Sequence, residues 1–205
     1  EIISDEFELN SDLVKIYFEK DLYDIQELVA STNVNFKSSA YNIKGKGEML
    51  RFNVINEEIN VIGERSELFL ETTDMFSDGS IIVNNLAGSF SIEGSNSKLV
   101  SDNITITGFL INGVLVDKNG SRKISNLKVQ DENIISIITE DTEMFSKKAF
   151  YDSENSIIEL FDSVTIKRGN EIITGDYGVL DTYKNAYKVS SKNSNKVKAI
   201  ISNTK

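Results

Sequence analysis

Apolar side chains recur at every second position in short runs spread along the whole chain, and this period of two constrains the fold more than any other feature. Val14, Ile16 and Phe18 alternate with Lys15 and Tyr17. Asn33-Val34-Asn35-Phe36, Ser89-Phe90-Ser91-Ile92, Asn103-Ile104-Thr105-Ile106 and Ser163-Val164-Thr165-Ile166 repeat the pattern. Successive side chains of a strand point to opposite faces, so each run reads as a strand with one buried face. Their Ile, Val, Thr, Phe and Tyr content suits a pleated surface. Asp78-Gly79, Asn112-Gly113 and Asn119-Gly120 tolerate positive φ and are expected to join strands as tight turns. One segment admits a different reading. Leu22, Ile25, Leu28 and Val29 stand near helical spacing behind Asp21, a competent N-cap, so a short helix over 21–30 is the alternative there.

Composition removes whole classes of chemistry. The 205 residues include no His, Cys, Pro or Trp. Nucleophile pairs built on imidazole, histidine metal sites, disulfides and thiolate ligands are therefore excluded. An enzyme would have to work with carboxylates, Lys, Tyr or Ser, so no enzymatic activity, cofactor or metal is expected. With 32 Asp+Glu against 22 Lys+Arg, the net charge of -10 argues against a nucleic-acid partner, which needs clustered cations. The charge is unevenly placed: residues 1–24 hold eight acids and two lysines, whereas residues 182–205 hold six lysines and no acid. The two ends are thus oppositely charged. No stretch approaches the roughly 18 apolar residues of a membrane-crossing helix. The chain opens at Glu1 without a signal-like apolar segment, so any targeting peptide is expected to have been removed or to lie outside this sequence.

A β-branched residue, any residue and then glycine recurs at Ile43-Lys44-Gly45, Val61-Ile62-Gly63, Ile92-Glu93-Gly94, Ile106-Thr107-Gly108 and Ile173-Thr174-Gly175. The spacing is too uneven for a solenoid of fixed coil length. A shift of 130 residues aligns Leu28 with Ile158, Val34 with Val164, Phe36 with Ile166, Ile43 with Ile173, Gly45 with Gly175 and Leu50 with Leu180, without a gap. One unit is read as used at least twice, at about 22–63 and 149–202, within a single domain of residues 1–205. Similar strands with similar turns are the simpler account of the same match.

Residues 149–181 resemble the OstA-type repeat of the LptA family, the periplasmic part of the lipopolysaccharide transport bridge. The resemblance rests on the Tyr151-Asp152 opening, an apolar strand, Ser163-Val164, a second strand and the block Ile173-Thr174-Gly175-Asp176-Tyr177-Gly178-Val179-Leu180-Asp181. Residues 195–202 resemble the family's terminal strand, and residues 22–50 a further copy. The family's Gly-Asn-Val is replaced by Thr32-Asn33-Val34 and Asp162-Ser163-Val164, so its glycine is missing in both copies. The repeat is shared with the inner-membrane-anchored, LptC-like partner and with the outer-membrane receptor, which leaves the component open. The resemblance implies an all-β, elongated antiparallel jelly roll with two twisted sheets in a V. It also implies a non-enzymatic, periplasmic carrier or bridge for lipopolysaccharide (lipid A), partnered by the inner-membrane-anchored and outer-membrane components. The open edges of such a fold and the opposite charges of the two ends add the expectation of a head-to-tail homo-oligomer.

Val34, Phe36, Ile43, Ile92, Ile104, Ile106, Val164, Ile166 and Ile173 are the candidates to line a lipid-binding groove, although an ordinary packed core would use the same residues. Val14, Ile16 and Phe18 within 12–18, and Val197, Ala199 and Ile201 within 195–201, are the candidate assembly edges, since an unpaired strand is a template for a neighbour's. A structural or adhesive cell-surface β-protein without a lipid is the competing class, and a glycan hydrolase using acids such as Asp131, Glu132, Glu140, Asp141 and Glu143 a third. Gly45-Lys46-Gly47 lacks the rest of a phosphate loop and reads as a turn or bulge. Asp117-Lys118-Asn119-Gly120-Ser121 departs from a calcium loop in its glycine position and reads as a hairpin turn.

Overall fold

The computed structural model describes residues 1–21, 24–118, 120–191 and 196–201. Among these residues the secondary structure is all strand and turn. The strands are β1 (Ile2–Ile3), β2 (Phe7–Asn10), β3 (Leu13–Phe18), β4 (Ile25–Ser38), β5 (Ile43–Asn53), β6 (Glu58–Ile62), β7 (Ser66–Phe69), β8 (Thr73–Ser77) and β9 (Ser80–Asn84). They continue with β10 (Ser89–Ser101), β11 (Ile104–Lys118), β12 (Ser121–Ile138), β13 (Thr142–Asp152), β14 (Ile157–Arg168), β15 (Glu171–Asp181), β16 (Ala186–Ser190) and β17 (Lys198–Ile201). The fold is an elongated antiparallel β-jelly roll.

Its construction is a meander of bent strands. β4 pairs with β5 in two stretches, 27–31 against 49–53 and 34–38 against 43–47, with the register broken between Ser31 and Val34. β10 to β15 break in the same way near their midpoints. Where a single strand is not bent, two short ones replace it. β3 and β2 pair with the two halves of β4, β6 and β7 with those of β5, β9 and β8 with those of β10, and β16 and β17 with those of β15. Each bend therefore passes the chain from one sheet to the other. The first sheet runs from β3 to β16 and the second from β1 and β2 to β17. The bends form a spine along one side, and the hairpin turns form two facing lips along the other.

The spine explains the residues that stand in place of the family's glycine. Thr32 and Asn33 both have positive φ (64° and 56°), as do Asp162 and Ser163 (62° and 57°), so the bends of β4 and β14 share one left-handed two-residue step 130 positions apart. Asn33 Nδ2 donates to Asp12 Oδ2 at 3.0 Å and Asp12 N to Thr32 O at 3.0 Å, fastening the first step to the β2–β3 junction. Asn and Asp tolerate this conformation, whereas the β-branched Thr32 adopts it at a steric cost.

Two expectations are corrected. The 21–30 segment is not a helix from Ile25 onward: β4 begins there, and Leu28 and Ala30 face inward opposite Ile16 and Val14 of β3. Cross-strand pairing outweighs the weak helical spacing; Leu22 and Tyr23 lie outside the described residues. Asn112-Gly113 is not a turn but the middle of β11. Gly113 stands opposite Phe90 and Leu127, and a Cβ there would lie 2.2 Å from Phe90 Cζ, so the glycine makes room for a ring. Asp78-Gly79 does join β8 to β9, at the spine. Gly120 N donates to Asp117 Oδ1 at 2.9 Å within the β11–β12 hairpin, Asn119 being outside the described residues.

Thr32→Gly is expected to stabilise the protein. The left-handed conformation costs a non-glycine residue about 1–2 kcal/mol, and the added unfolded-state entropy of glycine offsets about 0.5–1 kcal/mol of the relief. Urea unfolding should show a net gain of up to about 1 kcal/mol with an unchanged m-value; a loss would mean that the threonine side chain makes a contact more valuable than the strain.

Candidate functional site

The interior is organised as rows rather than as a cluster without direction. In the second sheet Leu9, Phe36, Gly45, Leu68, Met75, Leu99, Ile106, Ile137, Met144, Ile166, Ile173 and Ala199 stand opposite one another from strand to strand. In the first sheet Val14, Ala30, Leu50, Val61, Ile81, Ile92, Ile111, Val129, Ala149, Leu160, Gly178 and Val189 do the same. Directly opposed Cβ atoms lie about 4.5–5.5 Å apart, so each row is a continuous apolar track. Both tracks cross the molecule from one open edge to the other, without a charged residue.

Val34, Phe36, Ile43, Ile92, Ile106, Val164 and Ile166 are shielded from solvent in one contiguous core, and Ile104 packs half-buried against it. Ile173 is half-buried, near the β17 edge. These candidates belong to both sheets, and Phe36, Ile92, Ile106, Ile166 and Ile173 lie on the two tracks. The interior they share is closed over most of its length. Between β7 and β13 the sequence reading found Ile92 and Ile106 but missed Leu68, Met75, Leu99, Ile137 and Met144, because the family resemblance is weak there. Ile135-Ser136-Ile137 carries the alternation that would have found one of them.

The lips are tied together by polar contacts between turns far apart in sequence. Thr72 Oγ1 donates to Arg122 O at 2.8 Å, and Ser121 Oγ to Glu71 Oε2 at 3.2 Å. Lys123 Nζ lies 3.3 Å from Asp102 Oδ2. Arg168 Nη2 donates to Asp141 Oδ2 at 2.6 Å, Asn185 Nδ2 reaches the same oxygen at 3.3 Å, and Arg168 Nη1 donates to Asn185 O at 2.9 Å. Thr142 Oγ1 adds a bond to Asp141 Oδ1 at 2.9 Å. The hydrogen bonds from Arg168, Thr142 and Asn185 together hold the Asp141 carboxyl down at about 2. No local motif foretells these contacts, since the partners sit on separate hairpins.

Between the Asp102–Lys123 and Asp141–Asn185 contacts the lips leave a hollow of about 890 Å³. Its rim carries Asp102, Asn103, Lys118, Glu140 and Thr182, and its depth is formed by Ile104, Ile124, Leu127, Tyr151, Ile158 and Leu180. Leu127, Tyr151, Ile158 and Leu180 are successive members of a further apolar row of the first sheet. Burial, with the charges of Asp152 and Asp102 adding to it, pushes the Tyr151 phenol up, so it stays neutral.

At the ends the sheets are open. Among the described residues β3 pairs only with β4, and β17 and β16 only with β15. On β3 Val14 is half-buried while Ile16 and Phe18 are exposed, and at the other end Val197, Ala199 and Ile201 are exposed, Ile201 at 68%. Asn195 lies outside the described residues. The edges β1 and β16 were missed because their sequences carry no extended alternation.

The remaining motifs are absorbed by the architecture. Gly45 and Gly47 lie within β5, and Glu143 is paired outward with Lys167 at 3.6 Å. Asp131 Oδ1 accepts the Asn133 amide at 2.7 Å in the β12 bend. Among the described residues no three acids gather as a metal site.

Comparison with known proteins bears on the fold. No family model matches the sequence, and no curated protein matches it either. Among solved structures, the chain is similar to the crystal structure of LptH from Pseudomonas aeruginosa, described as the LptA-homologous periplasmic component of the lipopolysaccharide transport device. The TM-score is 0.53 at 13% identity, over 64% of this chain and 95% of that one. The likeness shows the jelly-roll fold, and about a third of this chain extends beyond the matched part.

The low Asp141 value sets a pH dependence. A carboxyl depressed in the folded state stabilises it fully above the ordinary value of 3.8, and that contribution is lost as the pH falls through about 2. In urea unfolding, the advantage of the natural protein over Asp141→Asn is expected to be constant above about pH 5 and to shrink steadily from pH 4 to pH 2. A difference that does not change with pH would remove the carboxylate from the contact.

Proposed function

We infer that the protein is a non-enzymatic carrier or bridge for lipopolysaccharide in the periplasm, shielding acyl chains between its two sheets. The observation that carries this reading is the pair of uninterrupted apolar tracks running from open edge to open edge. An acyl chain of about a dozen carbons exposed to water costs on the order of 10 kcal/mol, at roughly 0.8 kcal/mol per methylene. A carrier must offset that along its whole length, which needs a continuous lining and no reactive group. Val34, Phe36, Ile43, Ile92, Ile104, Ile106, Val164, Ile166 and Ile173 are the proposed lining, and the chain acts as one domain built on a unit used at about 22–63 and 149–202.

The open edges support assembly with partners of the same fold, the inner-membrane-anchored and outer-membrane components or a second copy. A head-to-tail joint that continues both sheets sets β3 of one molecule on β16 of the next, and β1 on β17. The acids flanking the first strands and the lysines in and around the last ones favour that polarity over head-to-head contact.

A structural β-protein without a ligand is the second reading, favoured by the closed packing of the core. Solvent extraction of the purified protein followed by mass spectrometry separates the two. Retained lipid A or fatty acid, reduced several-fold in Ile173→Asp with folding intact, is the expected result. Protein that emerges free of lipid and takes up none when offered lipid A overturns the carrier reading.

A further inference from the structure

The lips are sealed unevenly. Among the described residues Tyr41 packs edge-on against Phe52 across the mouth, and polar contacts join the lips at three places, Thr72 with Arg122, Asp102 with Lys123, and Asp141 and Arg168 with Asn185. The hollow of about 890 Å³ lies between the last two. We propose that this hollow is a lateral gate through which an acyl chain slips between the sheets, its polar headgroup remaining on the rim, and that the two flanking contacts hold the gate shut. The proposal rests on the carrier reading and adds the place and control of loading.

Three features of the hollow fit an amphipath rather than a compact polar ligand. Its volume lies within the usual range for small-molecule sites, roughly 300–1,000 Å³. Its depth is apolar and continuous with a row of the first sheet, so a chain entering there meets lining in both directions. Its rim is polar, with Asn103, Thr139, Thr182 and Lys118 facing outward around the opening. The flanking contacts are also suited to opening. The side chains of Asp102 and Asp141 are half or more exposed, and Asp141 stays paired with Arg168 on its own lip, so parting the lips separates Asp102 from Lys123, and Asn185 from Asp141 and Arg168, without stranding a charge in the core. The strands themselves need not unpair, because the lips can separate by flexing at the spine.

The chain has no cysteine, so thiol chemistry reports only on introduced positions. The test uses the full chain carrying Asp102→Cys and Lys123→Cys, bridged with a short bis-maleimide, and stopped-flow uptake of cis-parinaric acid. Glu27→Cys with Arg51→Cys, replacing an ion pair of 3.5 Å between β4 and β5 of one sheet, is the control for the same reagent. Bridging the lips is expected to slow uptake by roughly tenfold or more by depleting the open population, whereas the control bridge leaves it unchanged. The variant Asp102→Ala with Asp141→Ala is expected to load several-fold faster, and it decides alone should the cysteine pair fail to fold. Equal rates in bridged and unbridged protein, or in the alanine variant and the natural one, overturn the gate while leaving the carrier reading intact, with loading then assigned to the open edges. Absence of uptake by the natural protein overturns the carrier reading and the gate with it.

Discussion

Each long strand serves two sheets, and the cross-strand pairing that runs through its bend is the constraint on which the rest of the molecule depends. Pairing fixes which residue stands opposite which, and the period of two then decides which side chains face inward. Because every strand bends at nearly the same level, the inward residues of the two sheets confront each other along the whole meander. The result is a pair of apolar tracks, a spine of backbone irregularities and a mouth of hairpin turns. A slip of one residue on any rung would turn its apolar set outward and break both tracks at once.

The two sides of the jelly roll are held by different physics. At the spine the connection is covalent and the local geometry is specified, down to the left-handed steps at Thr32-Asn33 and Asp162-Ser163. At the mouth the lips described are joined by a few hydrogen bonds and ion pairs, most of them exposed, and by the Tyr41–Phe52 ring contact, and the exposed polar contacts are individually weak and sensitive to salt. Stability therefore resides in the ladders and the buried rows, while the separation of the lips is governed by a few side chains. A carrier needs that division of labour, since its interior must be apolar and well ordered yet reachable.

Much of this was legible in the sequence, unevenly and for physical reasons. The alternation at Val34 and Phe36, or at Val164 and Ile166, names a strand and its inner face directly, because the strand period is a property of the local chain. The all-β jelly roll followed from such runs together with the OstA-type resemblance. Asn112-Gly113 misled because a glycine beneath the Phe90 ring and a glycine in a turn look alike locally; only the strand opposite tells them apart. The segment after Asp21 misled for the same reason, its spacing being ambiguous until β3 is laid beside it. The lip contacts were illegible altogether. Asp141 meets Arg168 after two further strands and Asn185 after three, and a surface acid carries no mark of its eventual neighbour.

The central claim is that the inner faces of the two sheets receive an acyl chain, and it is tested most directly by replacing Phe36 and, separately, Phe90 with benzoylphenylalanine, then irradiating the protein in the presence of lipid A. Phe36 and Phe90 face inward from opposite sheets, whereas Phe109 and Phe150 are exposed and serve as outer-face controls. The account predicts lipid adducts in the mass spectrum from the two inner positions and none from the outer pair. Adducts of equal yield from inner and outer positions, or none from the inner ones in protein that remains folded, would contradict it.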